Sequence, residues 1–356
     1  MSAFTSSTLR VGVIAPLSWR VPPRHYGPWE LVTSLMVEGL VERGVEVTLF
    51  ASADSQTAGR LEAVCPRPYS EDETLDPKVW ECLHISHAFE MARQGAFDIV
   101  HNHYDFLPLS YSGLVPEVPV VTTIHGFSSE KIVPVYEKYS ERSNHYFVSI
   151  SNADRHPRLK YAATIYHGIE LEAFPFSPVA DDPPYLLFFG RIHPDKGVAA
   201  AIAFARATGL PLKIAGIVQD EAYFQREVEP YLQPGRVDYL GPVGPDQRAS
   251  LLGGALVLLH LIHFDEPFGL SVVESMACGT PVLAHARGSM TELIENGVNG
   301  FLMKEGADAR EALAGVAALD RAVVRASVEE RFSVGRMAEA YLALYRRILE
   351  PGAEGV

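Results

Sequence analysis

The stretch HFDEPFGLSVVESMACGT, His263 to Thr280, decides how this chain is read. It follows an apolar run, Ala255 to Ile262 (ALVLLHLI), with the composition of a strand buried in a parallel sheet. Pro267 and Gly269 break that pattern, and a short helix is predicted from Leu270, stopped by Gly279 and Pro281. The amides of Phe268, Gly269 and Leu270 then sit where a helix leaves its donors unpaired, a setting that attracts phosphate. Glu266 falls in the loop before the helix, and Glu274 in or just beyond its first turn. On the residues alone, Asp265 and Glu266 could equally serve to offset the helix dipole.

Upstream stands a second signal, Gly190 to Gly197 (GRIHPDKG). It lies between a predicted strand, Tyr185–Phe189, and a predicted helix, Val198–Thr208. Arg191 leaves the strand and Lys196 meets the helix start, two cations placed to clamp a pyrophosphate. Taken singly, each is also an ordinary solvated charge. Leu212–Ile217, Val237–Val243 and Thr280–Ala286 read as further strands, and Ser289–Glu295 as the start of a helix.

The first half repeats this alternation. Strand Arg10–Ala15, helix Trp29–Gly44 and strand Val45–Ala51 open a doubly wound sheet, which takes its ligands outside the carboxyl ends of its strands. The Pro22–Glu30 loop lies on that edge, but the dinucleotide fingerprint G-x-G-x-x-G is absent from it. Gly27 is either a plain turn glycine or one that admits a pyrophosphate close to the backbone. Ser52–Pro77 reads as an irregular excursion, followed by a helix near Val79–Gln94. Strands Phe97–His103, Val118–Ile124, Tyr146–Ile150 and Ala163–Ile165 complete this half. His101 and His103 face the same way in an extended chain. They suit a sugar pocket with Asn102, Tyr104 and Asp105, or a metal pair, though no ligand set with zinc-like spacing accompanies them. His125 sits at a strand exit beside Gly126. The proline-dense Pro175–Pro184 reads as a semi-extended linker that few contacts cross, and Phe332–Leu349 as a terminal amphipathic helix.

A chain of 356 residues has room for two cores. A formal charge of −14 argues against a nucleic-acid or anionic-membrane footprint. Cys65, Cys82 and Cys278 are too few and too scattered for a disulfide framework or a zinc site, which points to a reducing, cytoplasmic setting. Residues 1–9 lack the layout of a signal peptide, and no segment is apolar for long enough to span a bilayer.

Two glutamates eight apart around PFGL, followed by ESMACGTPVLA, resemble the donor-site signature of retaining glycosyltransferase family 4. The resemblance covers nearly the whole chain and is strongest from Gly190 to Gly300. It implies the GT-B architecture, two Rossmann-like doubly wound parallel-sheet domains facing a cleft. Residues 1–170 would form the acceptor-side domain, with about 332–356 packing back on it, and 175–331 the nucleotide-sugar domain. It further implies transfer of a hexose-type sugar from a UDP-, GDP- or ADP-sugar to a hydroxyl acceptor, a saccharide or small molecule before a lipid, with no metal and no cofactor. His125, Glu266, Arg191 and Lys196 would carry catalysis. Gly27, Val243, Phe268, Gly269, Leu270 and Glu274 would bind the donor, with Glu274 on its ribose. Tyr26 would join His101, Asn102, His103, Tyr104 and Asp105 as an acceptor-pocket candidate. The pattern departs from the family at Pro28, which removes an N–H from the phosphate loop, and at His167 and Glu170, which stand where Asn and Asp are usual.

Three rivals share part of this reading. A GT-B nucleotide-sugar epimerase or sugar phosphorylase would use the same clamp. A hydrolase would hold a metal on His101 and His103. A silent nucleotide-sugar binder would bind without turnover.

Overall fold

The computed structural model describes residues 8–126, 130–304 and 306–350, and for Asp246 the backbone alone. The expectations for the first seven residues and for the end of the terminal segment lie outside the described residues. The chain divides into two units. One comprises Met1–Ser151, Arg155–Gly168 and Val334–Val356; the other comprises Asn152–Asp154 and Ile169–Ser333.

The first unit runs β1 (Arg10–Ile14), α1 (Pro28–Val41), β2 (Glu46–Phe50), β3 (Arg60–Glu62), α2 (Pro77–Arg93), β4 (Ile99–Asn102), β5 (Val120–Ile124), α3 (Val133–Ser140), β6 (His145–Ser149) and β7 (Ala163–Thr164). Its seven strands are ordered β3-β2-β1-β4-β5-β6-β7, and every pairing is parallel. Apolar runs such as Val11–Ile14 are buried on both sides, as a helix-covered parallel sheet requires. α2 starts at Pro77, earlier than its apolar spacing suggests, because the Asp76 carboxylate caps the amides of Lys78 and Val79. The excursion after β2 is not wholly irregular. Arg60–Glu62 adds an edge strand, three residues being too few for a period to show in sequence.

The second unit runs β8 (Leu186–Phe189), α4 (Val198–Thr208), β9 (Leu212–Ala215), α5 (Glu221–Glu227), β10 (Val237–Gly241), α6 (Pro245–Gly254), β11 (Val257–His260), α7 (Leu270–Ala277), β12 (Val282–His285), α8 (Met290–Leu293), β13 (Gly300–Met303), α9 (Ala309–Ala317) and α10 (Arg321–Arg331). Six parallel strands are ordered β10-β9-β8-β11-β12-β13. β13, α9 and α10 have no counterpart in the sequence reading, although Asp308 and Asp320 cap the two helices in the usual way. The proline-rich segment before β8 is not loosely tethered. Ser177 N donates to Cys278 O at 3.0 Å, and Asp181 N to Gly254 O at 2.9 Å. Arg321 Nε reaches Ser177 O at 2.8 Å.

The last helix, α11 (Val334–Leu349), belongs to the first unit and packs on α1. Gly39 permits the approach: a Cβ there would lie 2.9 Å from Val334 Cγ1 and 3.0 Å from Ala338 Cβ. Tyr341 and Tyr345, both fully buried, are the apolar face that secures it. In each sheet the strand order turns back between two neighbours, β1 and β4 in the first and β8 and β11 in the second. The loops leaving the carboxyl ends of such neighbours form the natural ligand crevice.

Candidate active site

In the second unit, the loops leaving β8 and β11 are locked together by glycines. Gly197 has φ 75°, and a Cβ there would collide with the carbonyl of Leu261. His263 N donates to Asp195 O at 2.8 Å across the same junction. Gly288, with φ 53°, lets the chain after β12 lie against the backbone of Glu266, where Ser289 N donates to Glu266 O at 2.9 Å. These contacts set the two loops side by side before any side chain is considered.

Lys196 and Glu266 meet there. Nζ donates to Oε2 at 2.7 Å, with only 16% and 12% of the two side chains exposed. The Lys196 ammonium also lies 4.5 Å from the centre of the Phe264 ring. His260, at the end of β11, brings Nε2 to 3.5 Å from the same Glu266 oxygen, near enough for charge attraction but without a hydrogen bond among the described residues. Burial alone would raise the Glu266 carboxyl; His260 and Lys196 outweigh it and bring it down to about 2. Glu266 is therefore ionised at any working pH. His260 has no place in the sequence reading because it is embedded in the apolar run of β11. A polar residue at the carboxyl end of a buried strand is the signal that could have found it.

Arg191 follows β8 as expected, but its guanidinium is engaged by Gln219 Oε1 in the loop after β9. Gly216, at φ 149°, lets that loop cross the carbonyl of Gly190. Gly269 is the left-handed N-cap of α7 at φ 94°, and no side chain caps the helix. No side chain competes for the first-turn amides, of which Val272 N donates to Gly269 O at 3.0 Å. Phe268 is buried and makes an edge contact with Phe332, ring centres 6.0 Å apart. Val243 lies half-buried in the turn between β10 and α6.

Glu274 sits in the second turn of α7, 1% exposed, where its carboxylate accepts a hydrogen bond from Arg248 of α6. Burial pushes its carboxyl up, with Arg248 pulling against that rise. Arg248 stacks 5.1 Å from the centre of the Phe189 ring, and its buried Nε has no hydrogen-bond partner among the described residues. Nothing in the local pattern of α6 singles Arg248 out; only the fold brings it to Glu274. Glu292 of α8 accepts the backbone amides of Asn152 at 2.9 Å and Ala153 at 2.7 Å.

In the first unit, His103 and His125 come together at the ends of β4 and β5, Nδ1 of one 3.1 Å from Nε2 of the other. His167 packs beside them, its ring centre 5.2 Å from that of His125. Burial keeps these imidazoles neutral, lowering His125 to about 3 and His103 and His167 well below the usual value. His125 Nδ1 and His103 Nε2 are buried with no hydrogen-bond partner among the described residues. One face of His125 stacks on Trp29 of α1, 5.4 Å between centres and 21° between planes.

His101 and Asn102 are placed differently from the pocket-lining expectation. Both are fully buried. His101 spends Nδ1 on Tyr345 Oη at 2.6 Å and Nε2 on Thr123 Oγ1 at 2.8 Å. It is therefore an anchor for α11, with neither nitrogen open to a metal or a sugar. Asn102 shapes the turn, accepting Tyr104 N at 2.8 Å and donating to Asp105 O at 2.7 Å. Tyr104 is 6% exposed, and Asp105 is partly buried, its carboxyl raised by burial to about 6. The alternation that put His101 and His103 on one face is real, but α11 covers the His101 end of it.

Gly27 is the N-cap of α1 at φ 150°, and a Cβ there would sit 3.0 Å from Glu30 Oε2. Tyr26 stands 44% exposed beside it. Glu30, missed in sequence, is 3% exposed and accepts Trp19 N at 3.2 Å. Burial raises its carboxyl to about 7.

Residues 30–172 match the family model described as glycosyltransferase family 4, and residues 170–320 that described as glycosyl transferases group 1. A D-inositol 3-phosphate glycosyltransferase of Mycolicibacterium smegmatis is 27% identical, the match covering 87% of this chain and 84% of that protein. A phosphatidyl-myo-inositol mannosyltransferase of the same organism is 26% identical over 83% of this chain and 81% of its own. The crystal structure of AviGT4, a glycosyltransferase involved in avilamycin A biosynthesis, shares the fold with a TM-score of 0.72 at 24% identity, covering 98% of this chain and 99% of the other. Both halves of the chain thus match glycosyltransferase models, and the two parallel sheets repeat the architecture of a solved relative: the chain belongs to glycosyltransferase family 4, a glycosyltransferase of the GT-B fold.

Proposed function

We propose that this glycosyltransferase moves a hexose-type sugar from a nucleoside diphosphate sugar to a hydroxyl acceptor, with retention at the anomeric carbon and without a metal or cofactor. The observation that carries the reading is the Lys196–Glu266 pair beside the uncapped start of α7. A fixed cation and the amides at the helix start receive the negative charge that develops on the departing β-phosphate. Arg191 adds a second cation once it leaves Gln219. Glu266, held ionised, orients hydroxyls of the transferred sugar; in the first unit, His125 offers a neutral ring nitrogen to a sugar hydroxyl. Glu274 binds the ribose; Val243, Phe268, Gly269, Leu270 and Gly27 complete the donor contacts through backbone groups.

Among the described residues no side chain is set up as a covalent nucleophile, so the departing phosphate itself takes the acceptor proton on the same face. The two relatives are named for an inositol phosphate and a phosphatidyl-inositol, and both acceptors carry the polyol hydroxyl that this chemistry needs. We favour a saccharide or other small molecule over a lipid, and the cytoplasm as the compartment. Among the described residues no helix is long and apolar enough to cross a membrane.

A thermal-shift panel of UDP-, GDP- and ADP-sugars tests the reading, since a ligand that binds only the folded protein raises its melting point. One base family is expected to stabilise the protein, and transfer with that donor should give the retained anomer by NMR. No stabilisation by any of them, or an inverted product, overturns the reading.

A further inference from the structure

Two basic side chains face one oxygen of the Glu266 carboxylate. Lys196 Nζ donates to Oε2 at 2.7 Å, and His260 Nε2 stands 3.5 Å from the same atom. His260 is 5% exposed, and its Nε2 is buried with no hydrogen-bond partner among the described residues. A buried ring nitrogen is rarely left unused, because it has lost water and gained nothing in return. The other charged and titratable groups around it are engaged. Arg191, which leaves β8, is held by Gln219. His285, which ends the neighbouring strand β12, turns Nδ1 to Ile262 O at 3.1 Å.

In its proposed role Lys196 meets the donor's phosphate, and this sets up a competition. One ammonium then faces a buried carboxylate and an incoming diphosphate. A buried carboxylate that loses its counter-ion is strongly destabilised, so another cation has to take the ammonium's place. A protonated imidazole can do so: with a hydrogen on each ring nitrogen, Nε2 becomes a donor beside Oε2. Negative charge brought near an imidazole, and a cation drawn away from it, both favour the protonated form.

We propose that His260 is a positioning residue that takes up a proton when the donor binds, keeping Glu266 ionised and in place while Lys196 turns to the phosphate. The proton comes from solvent and rests on the imidazole; no other bond is made or broken in this step. The inference rests on the transferase reading above and adds proton-coupled donor binding to it.

The test is calorimetry on the full chain with whichever nucleoside diphosphate sugar stabilises it most, in buffers of equal pH and different ionisation enthalpy. The diphosphate diester of such a donor has no proton to exchange near neutrality, so the buffer dependence of the heat reports protons gained by the protein. A net uptake of about one proton at most is expected around neutral pH. His260→Phe should abolish the uptake and weaken donor binding severalfold. His260→Gln keeps a neutral donor toward Glu266, so it should recover part of the affinity and none of the uptake. Circular dichroism melts check that both variants fold, and the glutamine variant decides alone if the phenylalanine variant does not.

The proposal is overturned if the parent binds the donor without taking up a proton. It also fails if the folded variants keep the uptake, which would place the proton on Glu266 instead. Donor affinity equal in the parent and both variants would leave His260 a packing residue. A parent that binds no nucleotide sugar would strike the transferase reading, and this inference with it; binding without uptake strikes this inference alone.

Discussion

Lys196 and Glu266, 70 residues apart in sequence, meet at 2.7 Å in a setting where both side chains are largely buried. Each therefore depends on the other. Replacing Lys196 with Met removes the cation proposed to receive phosphate charge and strands a buried carboxylate. The expected outcome is a turnover lower by roughly 10²–10³-fold, together with a stability loss of about 3 kcal/mol. Adding Glu266→Gln should restore much of the stability and none of the turnover. Melting curves and steady-state rates on the single and double variants check this; fully additive stability losses would mean the pair is not coupled.

The two glutamates of the opening stretch should separate kinetically. Ribose contacts are equal in ground and transition states, so Glu274→Ala should act mainly on donor KM, by roughly ten- to hundredfold. Glu266→Ala should act mainly on kcat, because its sugar contacts change as the ring and its charge change. Glu274→Ala also leaves the Arg248 guanidinium without its carboxylate, so a Glu274→Ala/Arg248→Met protein should be more stable than the single variant. The assignment is wrong if the KM and kcat effects are exchanged between the two positions.

Gly197→Ala probes whether the loop geometry, rather than the presence of the lysine, is what counts. The new Cβ would have to displace the Leu261 carbonyl at a left-handed φ of 75°. The variant should lose about 2 kcal/mol or more and show a turnover defect approaching that of the Lys196 variant. A protein within experimental error of the parent in both respects would refute the junction as the positioning device.

Glu30 gives a pH signature with a definite sign. Burial raises its carboxyl from 4.5 to about 7, and among the described residues no cation offsets this. Between those values the folded chain holds a proton that the unfolded chain has lost, so its contribution to stability falls as pH rises through this window and levels off above it. Glu30→Gln keeps an acceptor for Trp19 N and removes the penalty. Its stability should match the parent's near pH 4.5 and exceed it at pH 8, by on the order of 3 kcal/mol at most, as melting curves at the two pH values would show. A variant less stable at pH 8 than at pH 5, relative to the parent, would contradict the buried-carboxyl account.

Metal independence is the fifth expectation. On the proposed reading, Lys196, Arg191 and the α7 amides would supply the charge that a divalent ion supplies elsewhere. Activity should survive EDTA within about twofold. Abolition by EDTA with rescue by magnesium or manganese would refute it.

The sequence by itself determined most of the elements and their order, β3, β13, α9 and α10 excepted. Buried parallel strands are uniform apolar runs, and turns such as Gly190–Gly197 and Pro267–Gly279 are marked by the residues that only turns and caps require. The glutamates and the two cations are singled out by the family resemblance; on the residues alone they read equally as charges that offset a helix dipole or face solvent. Only the tertiary structure decided which of them touch. His260 lies hidden in an apolar run, and Arg248 and Glu30 sit on helices whose local patterns do not mark them. Each acquires its role from a partner on another element: His260 from Glu266 at 3.5 Å, Arg248 from Glu274, and Glu30 from Trp19 N at 3.2 Å. His101 shows the same rule in reverse. Alternation placed it beside His103, but Tyr345, 244 residues later, occupies one of its nitrogens and makes it part of the core. Periodicity reports the direction of a side chain relative to its own backbone; what waits there is set by how sheets and helices close on one another.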